Sequence, residues 1–312
     1  MKCLGSGRQR GVALILAMLL TALAVSLVTS LFWPQQVQVR AMENQRMRLQ
    51  ARLLLQGMLD YARQVLHQDG LSEGNVTTLD GVWARPIGSG GLGDFLERDR
   101  AAGAPPGATL SGRIVDAQSR YNLANLASGG QVVPQQVLIY ARLLRLLRLD
   151  PQLAARTAQA LARAGAGTLP VMRLDDLLGV AGYTPRVLEA LRDYAVMLPE
   201  PTALNANTAS AEVLAATLDM PLAQARALAR SRDQAWLRDA ADLVNRLQGR
   251  QVGEGVGLDV RSNYFLVTSS VRVERAALDA QALIRRHTGG RVRFALDQDD
   301  RLPTALVWVR QR

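Results

Sequence analysis

Hydrophobic and polar positions alternate in three different ways along the chain. Residues 12–33 (VALILAMLLTALAVSLVTSLFW) hold no charge over 22 positions, long enough to cross a bilayer as a helix, which takes about 20 apolar residues. In residues 35–68 the apolar positions thin to a stripe, Met47, Ala51, Leu54, Met58, Ala62 and Val65, with Arg46, Arg48, Arg52, Asp60 and Arg63 between them. Steps of three and four residues predict an amphipathic helix continuing from the apolar run. Pro34 permits a kink and Gly57 is a weak point. Residues 69–107 are rich in glycine and turn formers. Residues 109–115 (TLSGRIV) then alternate as a strand does, and DAQSRYNLANLA follows as a turn. Helical patterns run over 132–247. Strand patterns return at 264–267, 270–275, 282–285, 291–296 and 305–309, with Gly289-Gly290 as a hairpin turn. The chain is thus predicted to be α+β, a strand-rich frame interrupted by one long helical run.

The polar ends orient the apolar run. Residues 1–11 carry Lys2, Arg8 and Arg10 with no acid, so that side stays cytoplasmic and the remaining ~280 residues lie outside. A cleaved secretory signal fits less well. Its apolar region spans only about 7–15 residues, and a small-x-small site should follow it. Cys3 precedes the apolar run, which excludes a lipoprotein arrangement.

Composition narrows the chemistry. The 312 residues suffice for one large domain or two modest ones. Hydrophobic residues are 48% but aromatics only 4%, so the core is built from Leu, Ala and Val. Charged residues at 21% exclude a disordered chain. The formal charge of +10 is nearly all arginine, since Lys2 is the sole lysine. That points to base-composition bias more than to a binding device. One cysteine excludes an intrachain disulfide and a cysteine-built zinc site. His67 and His287 leave little for histidine catalysis. Gly88, Gly90 and Gly93 have dinucleotide-loop spacing, but Pro86 precedes them and only DFLERD follows, where a strand and a full helix are needed. Asn75-Val76-Thr77 matches a glycosylation acceptor by chance. Asp175-Asp176 sits in a helical pattern (RLDDLLG), and nothing assembles a nucleophile, base and orienting acid. The chain is not expected to be an enzyme. Arg142, Arg145 and Arg148 line one helix face beside a leucine core and are expected to be solvated.

Five segments in order resemble the K-type minor pseudopilins of type II secretion systems. Arg10-Gly11-Val12-Ala13-Leu14 is similar to a prepilin peptidase site. Val82-Trp83-Ala84-Arg85-Pro86 is similar to the family's tryptophan segment. Residues 113–127 (RIVDAQSRYNLANLA) resemble its strand running into an N-L-x-x-L turn. Residues 198–214 (LPEPTALNANTASAEVL) match its proline-led N-x-N-T-A segment, and residues 261–273 (RSNYFLVTSSVRV) its S-x-Y-F strand. The resemblance implies a pilin-like α/β head on a long N-terminal transmembrane helix, with a large inserted α-helical domain. Its parts would be a leader at 1–11, the transmembrane and amphipathic helix at 12–68, the head at 69–128 and 250–312, and the insert at 129–249. It implies a single-pass inner-membrane protein with a periplasmic head. Such a protein sits at the pseudopilus tip and initiates fibre assembly for export of folded proteins across the outer membrane. Implied partners are the I-, J- and H-type minor pseudopilins, the major pseudopilin and the prepilin peptidase. Cleavage and N-methylation are implied at Gly11 and Val12. The fifth residue after cleavage, usually Glu in pilin-like subunits, is Leu16 here, as in K-type members.

Two further expectations concern ligands. Residues 204–247 resemble helix-hairpin-helix modules of membrane-anchored DNA receptors, the rival reading. There a G-x-G turn lets backbone N–H groups meet a phosphate. Here the turn is Asp219-Met220-Pro221, without glycine and with an acid, and no specific nucleic-acid binding is expected. Asn205 and Asn207 are expected to cap helices and close turns, and Asn122 and Asn125 to close the N-L-x-x-L turn. Calcium is implied by the family, but the place of its acidic loop reads AQALARAGAGTLPV over residues 158–171, without a carboxylate. Calcium takes six to eight oxygens, and Asp175-Asp176 alone cannot supply them. Asp297-Gln298-Asp299-Asp300 is expected to be a solvated turn. No cofactor is expected.

Overall fold

The computed structural model describes residues 10–72, 76–86, 108–163, 171–247, 255–287 and 303–311. The Gly88–Gly93 loop, the 291–296 strand, Gly289-Gly290 and the 297–300 turn lie outside these residues.

The apolar run and the amphipathic stripe form one helix, α1 (Arg10–Ser72). Its first part, Gly11–Thr29, packs against nothing among the described residues. Its second part lies on an antiparallel sheet of four long strands, β1 (Ala108–Asp116), β2 (Tyr264–Val273), β3 (Ala276–Arg286) and β4 (Thr304–Gln311), in spatial order as numbered. Ala51, Leu55, Met58, Leu59, Ala62 and Leu66 pack on Ile114, Phe265, Val267, Val271, Ala282 and Ile284. Leu54 and Val65 flank this contact, half-buried. A helix on a flat sheet buries a broader stripe than three- and four-residue steps select, so Leu55 and Leu66 take the deeper places.

Trp83 closes this core edge-to-face on Phe265, with ring centroids 5.3 Å apart. The chain enters that turn through Gly81, where a Cβ would lie 2.5 Å from Trp83 Nε1 and 2.8 Å from Asp69 Oδ1. Only glycine lets the backbone pass so close.

Some strand boundaries differ from expectation. The patterns at 264–267 and 270–275 are one strand ending at Val273, because alternation runs unbroken through Thr268 and Ser269. The chain turns at Glu274, in left-handed conformation at φ 50°. The 282–285 pattern is the end of an eleven-residue strand, and β4 carries a bulge between Leu306 and Trp308.

Between β1 and β2 lie α2 (Pro134–Leu146), α3 (Leu153–Arg163), α4 (Pro185–Leu191), α5 (Ala211–Leu218), α6 (Leu222–Gln234) and α7 (Ala240–Arg246). Their core is mostly leucine and alanine, with Tyr121 stacked on Tyr140 at 5.4 Å and Tyr183 beside them. Two short parallel pairings join these helices to their surroundings, Tyr121–Asn122 with Ala195–Val196 and Leu204–Asn205 with Leu258–Asp259. The outer face of the sheet meets this region through Val196 and Leu198 on Tyr264, Leu266 and Leu283. Asp175 and Asp176 lie in a 3₁₀ turn, Leu174–Gly179, and not in an α-helix, since Asp176 accepts from the Met172 and Arg173 N–H groups and caps a short turn.

Candidate functional site

Two features of the described residues bear first on function, a bare apolar helix and a buried polar hub that fixes the helix to the sheet and to the segment leading into α5. Gly11, Val12 and Leu16 lie in the first turns of α1, and Val12 and Leu16 are exposed. Within the apolar part, Thr21 Oγ1 donates to the Ala17 and Met18 carbonyls and Thr29 Oγ1 to the Val25 carbonyl. These bonds satisfy the hydroxyls inside the helix, as hydrocarbon surroundings require.

At its other end α1 supplies Asp69 to the hub. Arg286 of β3 donates from one terminal nitrogen to Asp69 Oδ2 at 2.6 Å. The other nitrogen reaches Thr77 Oγ1 at 2.7 Å and the Ser262 carbonyl at 3.1 Å. The guanidinium also lies 4.7 Å over the Phe265 ring. Both side chains are almost wholly buried, 3% and 5% exposed. Burial pushes the Asp69 carboxyl up, and the Arg286 hydrogen bond and charge pull it back.

Thr77 and Ser262 carry the network inward. Thr77 Oγ1 accepts from the Ser262 backbone N–H, and Ser262 Oγ donates to Asp116 Oδ2 at 2.6 Å. Asp116 ends β1, and its carboxylate accepts four donors. Oδ2 takes Ser262, Thr208 at 2.5 Å and Asn205 Nδ2 at 3.1 Å, while Oδ1 takes the Gln118 N–H at 2.8 Å. Burial raises its pKa, against those same bonds. One carboxylate thus joins the sheet to the segment leading into α5.

The four asparagines act as clasps between separate strands of chain. Asn122 Oδ1 accepts from the N–H groups of Ala124 and Leu198, and its Nδ2 donates to the Glu200 carbonyl and Thr202 Oγ1. Asn125 bonds both the N–H and the carbonyl of Thr202. Asn205 closes a turn through the Asn207 N–H, and its Nδ2 also reaches the Thr77 carbonyl. Asn207 brackets Leu237 by its N–H and carbonyl, 30 residues away. Neither Asn205 nor Asn207 caps an α-helix, contrary to expectation; Ser210 caps α5. Their amides are spent on distant backbone because each offers both a donor and an acceptor.

The α5–α6 hairpin turns at Asp219, a left-handed C-cap at φ 50°. Its carboxylate pairs with Arg142 of α2 at 3.0 Å, and Pro221, without an N–H, begins the next helix. At this turn an acid stands where an anion would approach, its Arg142 partner is already paired, and Pro221 supplies no backbone donor. Arg142 is therefore not part of a solvated row with Arg145, and Arg148 lies past the end of α2 at φ 60°.

Carboxylates near the place of the implied calcium site are otherwise engaged. Asp175 pairs with Arg310 and, at 3.8 Å, with Arg192, and Asp176 accepts two backbone N–H groups. Among the described residues no three His, Cys, Asp or Glu side chains cluster as metal ligands. The residues present there do not fit calcium, which wants several free carboxylate oxygens.

Sequence reading missed Asp116, Ser262, Asp69 and Arg286, and saw Thr77 only in a chance motif. The available signal was an acid and a serine at the ends of alternating strands, positions that otherwise face solvent.

Three comparisons bear on identity. The family model for type II secretion system protein K matches residues 204–267, the stretch that contains Asn205, Asn207, Thr208 and Ser262. Type II secretion system protein K of Pseudomonas aeruginosa is 27% identical over 317 positions covering 91% of each chain. In the crystal structure of the GspK-GspI-GspJ complex from the enterotoxigenic Escherichia coli type 2 secretion system, one chain has the same fold. It aligns with TM-score 0.65 at 18% identity, over 87% of this chain and 99% of that one.

Proposed function

We infer that this chain belongs to the type II secretion protein K family and works as a minor pseudopilin, holding one end of a secretion fibre. The observation that carries this reading is α1. It is a single helix whose first part is apolar and bare while its second part is fixed to a sheet by packing and by the Asp69–Arg286 pair. A bare apolar helix in a bilayer costs little, and drawn out of the bilayer it must be covered by other helices. The helix is therefore both anchor and fibre element. The one such span among the described residues supports a membrane anchor with the head outside, and we place that head in the periplasm and the span in the inner membrane.

Position in the fibre follows from two features of this chain. Leu16 stands where a carboxylate in hydrocarbon would demand a partner amine, so this subunit asks for no neighbour above it. The helical region between β1 and β2 would crowd a position inside a fibre. Both favour the tip, with I- and J-type minor pseudopilins as partners, since the similar E. coli chain was solved in a GspK-GspI-GspJ complex. The full-length chain, extracted in detergent with the I- and J-type subunits of its own system, should copurify as a complex of defined stoichiometry. Elution of the chain alone at every detergent and salt condition would refute the assignment.

A further inference from the structure

The outer face of the sheet is only partly covered. Register sorts that face into cross-strand rows. Val115, Leu266, Leu283 and Trp308 form one row, where Leu266 and Leu283 lie under Val196 and Leu198. The neighbouring row is polar throughout and runs Arg113, Thr268, Gln281, Arg310. Ser111, Ser270 and Asp279 follow it. The polar rows floor a trough made of two adjoining pockets, of about 540 and 230 Å³, that share Arg192 and Gln281. Residues after α4 and the start of the 3₁₀ turn wall it.

The trough has an excess of guanidinium groups, five arginines against three aspartates among its lining residues. Arg310 and Arg192 share Asp175. Arg173 pairs with Asp176 at 3.6 Å, outside the lining, and the remaining two cations are poorly matched. Arg113 makes no ion pair among the described residues. Arg120 is 17% exposed, and its partner is Asp193 at 3.7 Å, itself 86% exposed and so heavily solvated. Burial, together with the nearby Arg113 charge, lowers the Arg120 pKa, against the pull of Asp193 and, more weakly, Asp116. Two adjacent cations with weak counter-charge are a standing electrostatic cost, relieved when an anion arrives.

We propose that this trough is a docking site for an extended acidic segment of a partner protein, whose carboxylates pair with Arg113 and Arg120. Strands lie about 4.8 Å apart, so a four-strand row spans about 14 Å, the reach of about four residues of extended chain. The floor offers hydroxyl and amide groups for a peptide backbone. Asp175, Asp193 and Asp279 interrupt the positive charge, which suits spaced carboxylates and disfavours a continuous phosphate backbone. The site goes beyond the fibre-tip reading and does not depend on it.

The test uses the full-length chain in detergent and fluorescence anisotropy at physiological salt. The probes are a short labelled peptide of alternating Glu and Ser, the same peptide with Gln for Glu, and an oligothymidylate. The Glu peptide should bind saturably and the Gln peptide should not. Arg113→Gln and Arg120→Gln should each weaken binding about tenfold, and Arg52→Gln on the exposed face of α1 should not. Arg113 is exposed and carries the test alone if the Arg120 variant melts early. Absence of saturable binding overturns the site. So does an equal loss in Arg52→Gln, or tighter oligothymidylate binding through the same arginines.

Discussion

Asp116 shows how one residue sets a pH dependence for the chain. Its carboxyl is pushed above the ordinary 3.8 by burial, and the bonds from Ser262, Thr208, the Gln118 N–H and Asn205 oppose this without a formal positive charge in contact. A folded pKa above the unfolded one means the folded chain keeps a proton that the unfolded chain has released. Stability from this group is therefore present below the ordinary carboxylate value and is lost as pH rises through the folded pKa. An Asp116→Asn chain lacks that dependence. Urea titrations of both should show wild type gaining on D116N as pH falls from neutrality toward 4, by at most about 1.4 kcal/mol per pH unit. Parallel pH profiles would mean that Asp116 titrates as an exposed acid.

At the scale of the element, α1 does two jobs with one periodicity. Its buried stripe was readable because a helix repeats every 3.6 residues and the apolar residues follow. The junction of leader and helix is a separate matter. We expect cleavage between Gly11 and Val12, which removes Lys2, Arg8 and Arg10 and lowers the formal charge of +10 by three. The new N-terminus then enters the apolar phase with no basic residue before it, and we expect methylation of the Val12 amine. Intact-mass measurement on protein extracted from the native membrane should give the 12–312 chain plus one methyl group. A mature chain starting beyond residue 33 would mean that the apolar run is a discarded signal and α1 no anchor.

At the scale of the whole molecule, the described residues are held together by packing and by neutral and ionic hydrogen bonds. The carboxylates nearest the expected calcium position are held by Arg310, Arg192 and backbone N–H groups, and a cation would have to break those contacts before binding. Melting of the full-length chain should be unchanged, within about 1 °C, between micromolar calcium and excess chelator, since a ligand that does not bind the folded state shifts nothing. A calcium-dependent rise in midpoint would show that other oxygens gather into a site.

The sequence determined what is local. It set the uncharged run and apolar stripe of α1, the alternation of β1 and of β2 near Tyr264-Phe265, and the leucine-rich helices between them. Each follows from a repeat of 2 or 3.6 residues that neighbouring side chains already display. It also placed polar residues at turns, Asn122 and Asn205 among them, though not what their amides would hold. Only tertiary structure decided the pairings. Asp69 and Arg286 lie 217 residues apart, and Asp116 and Ser262 lie 146 apart. Arg113, Thr268, Gln281 and Arg310 become one row only when four strands take their register. No periodicity links such residues. An arginine reads alike on a solvated helix and beneath a phenylalanine ring, and its neighbours are chosen only when the sheet closes over α1.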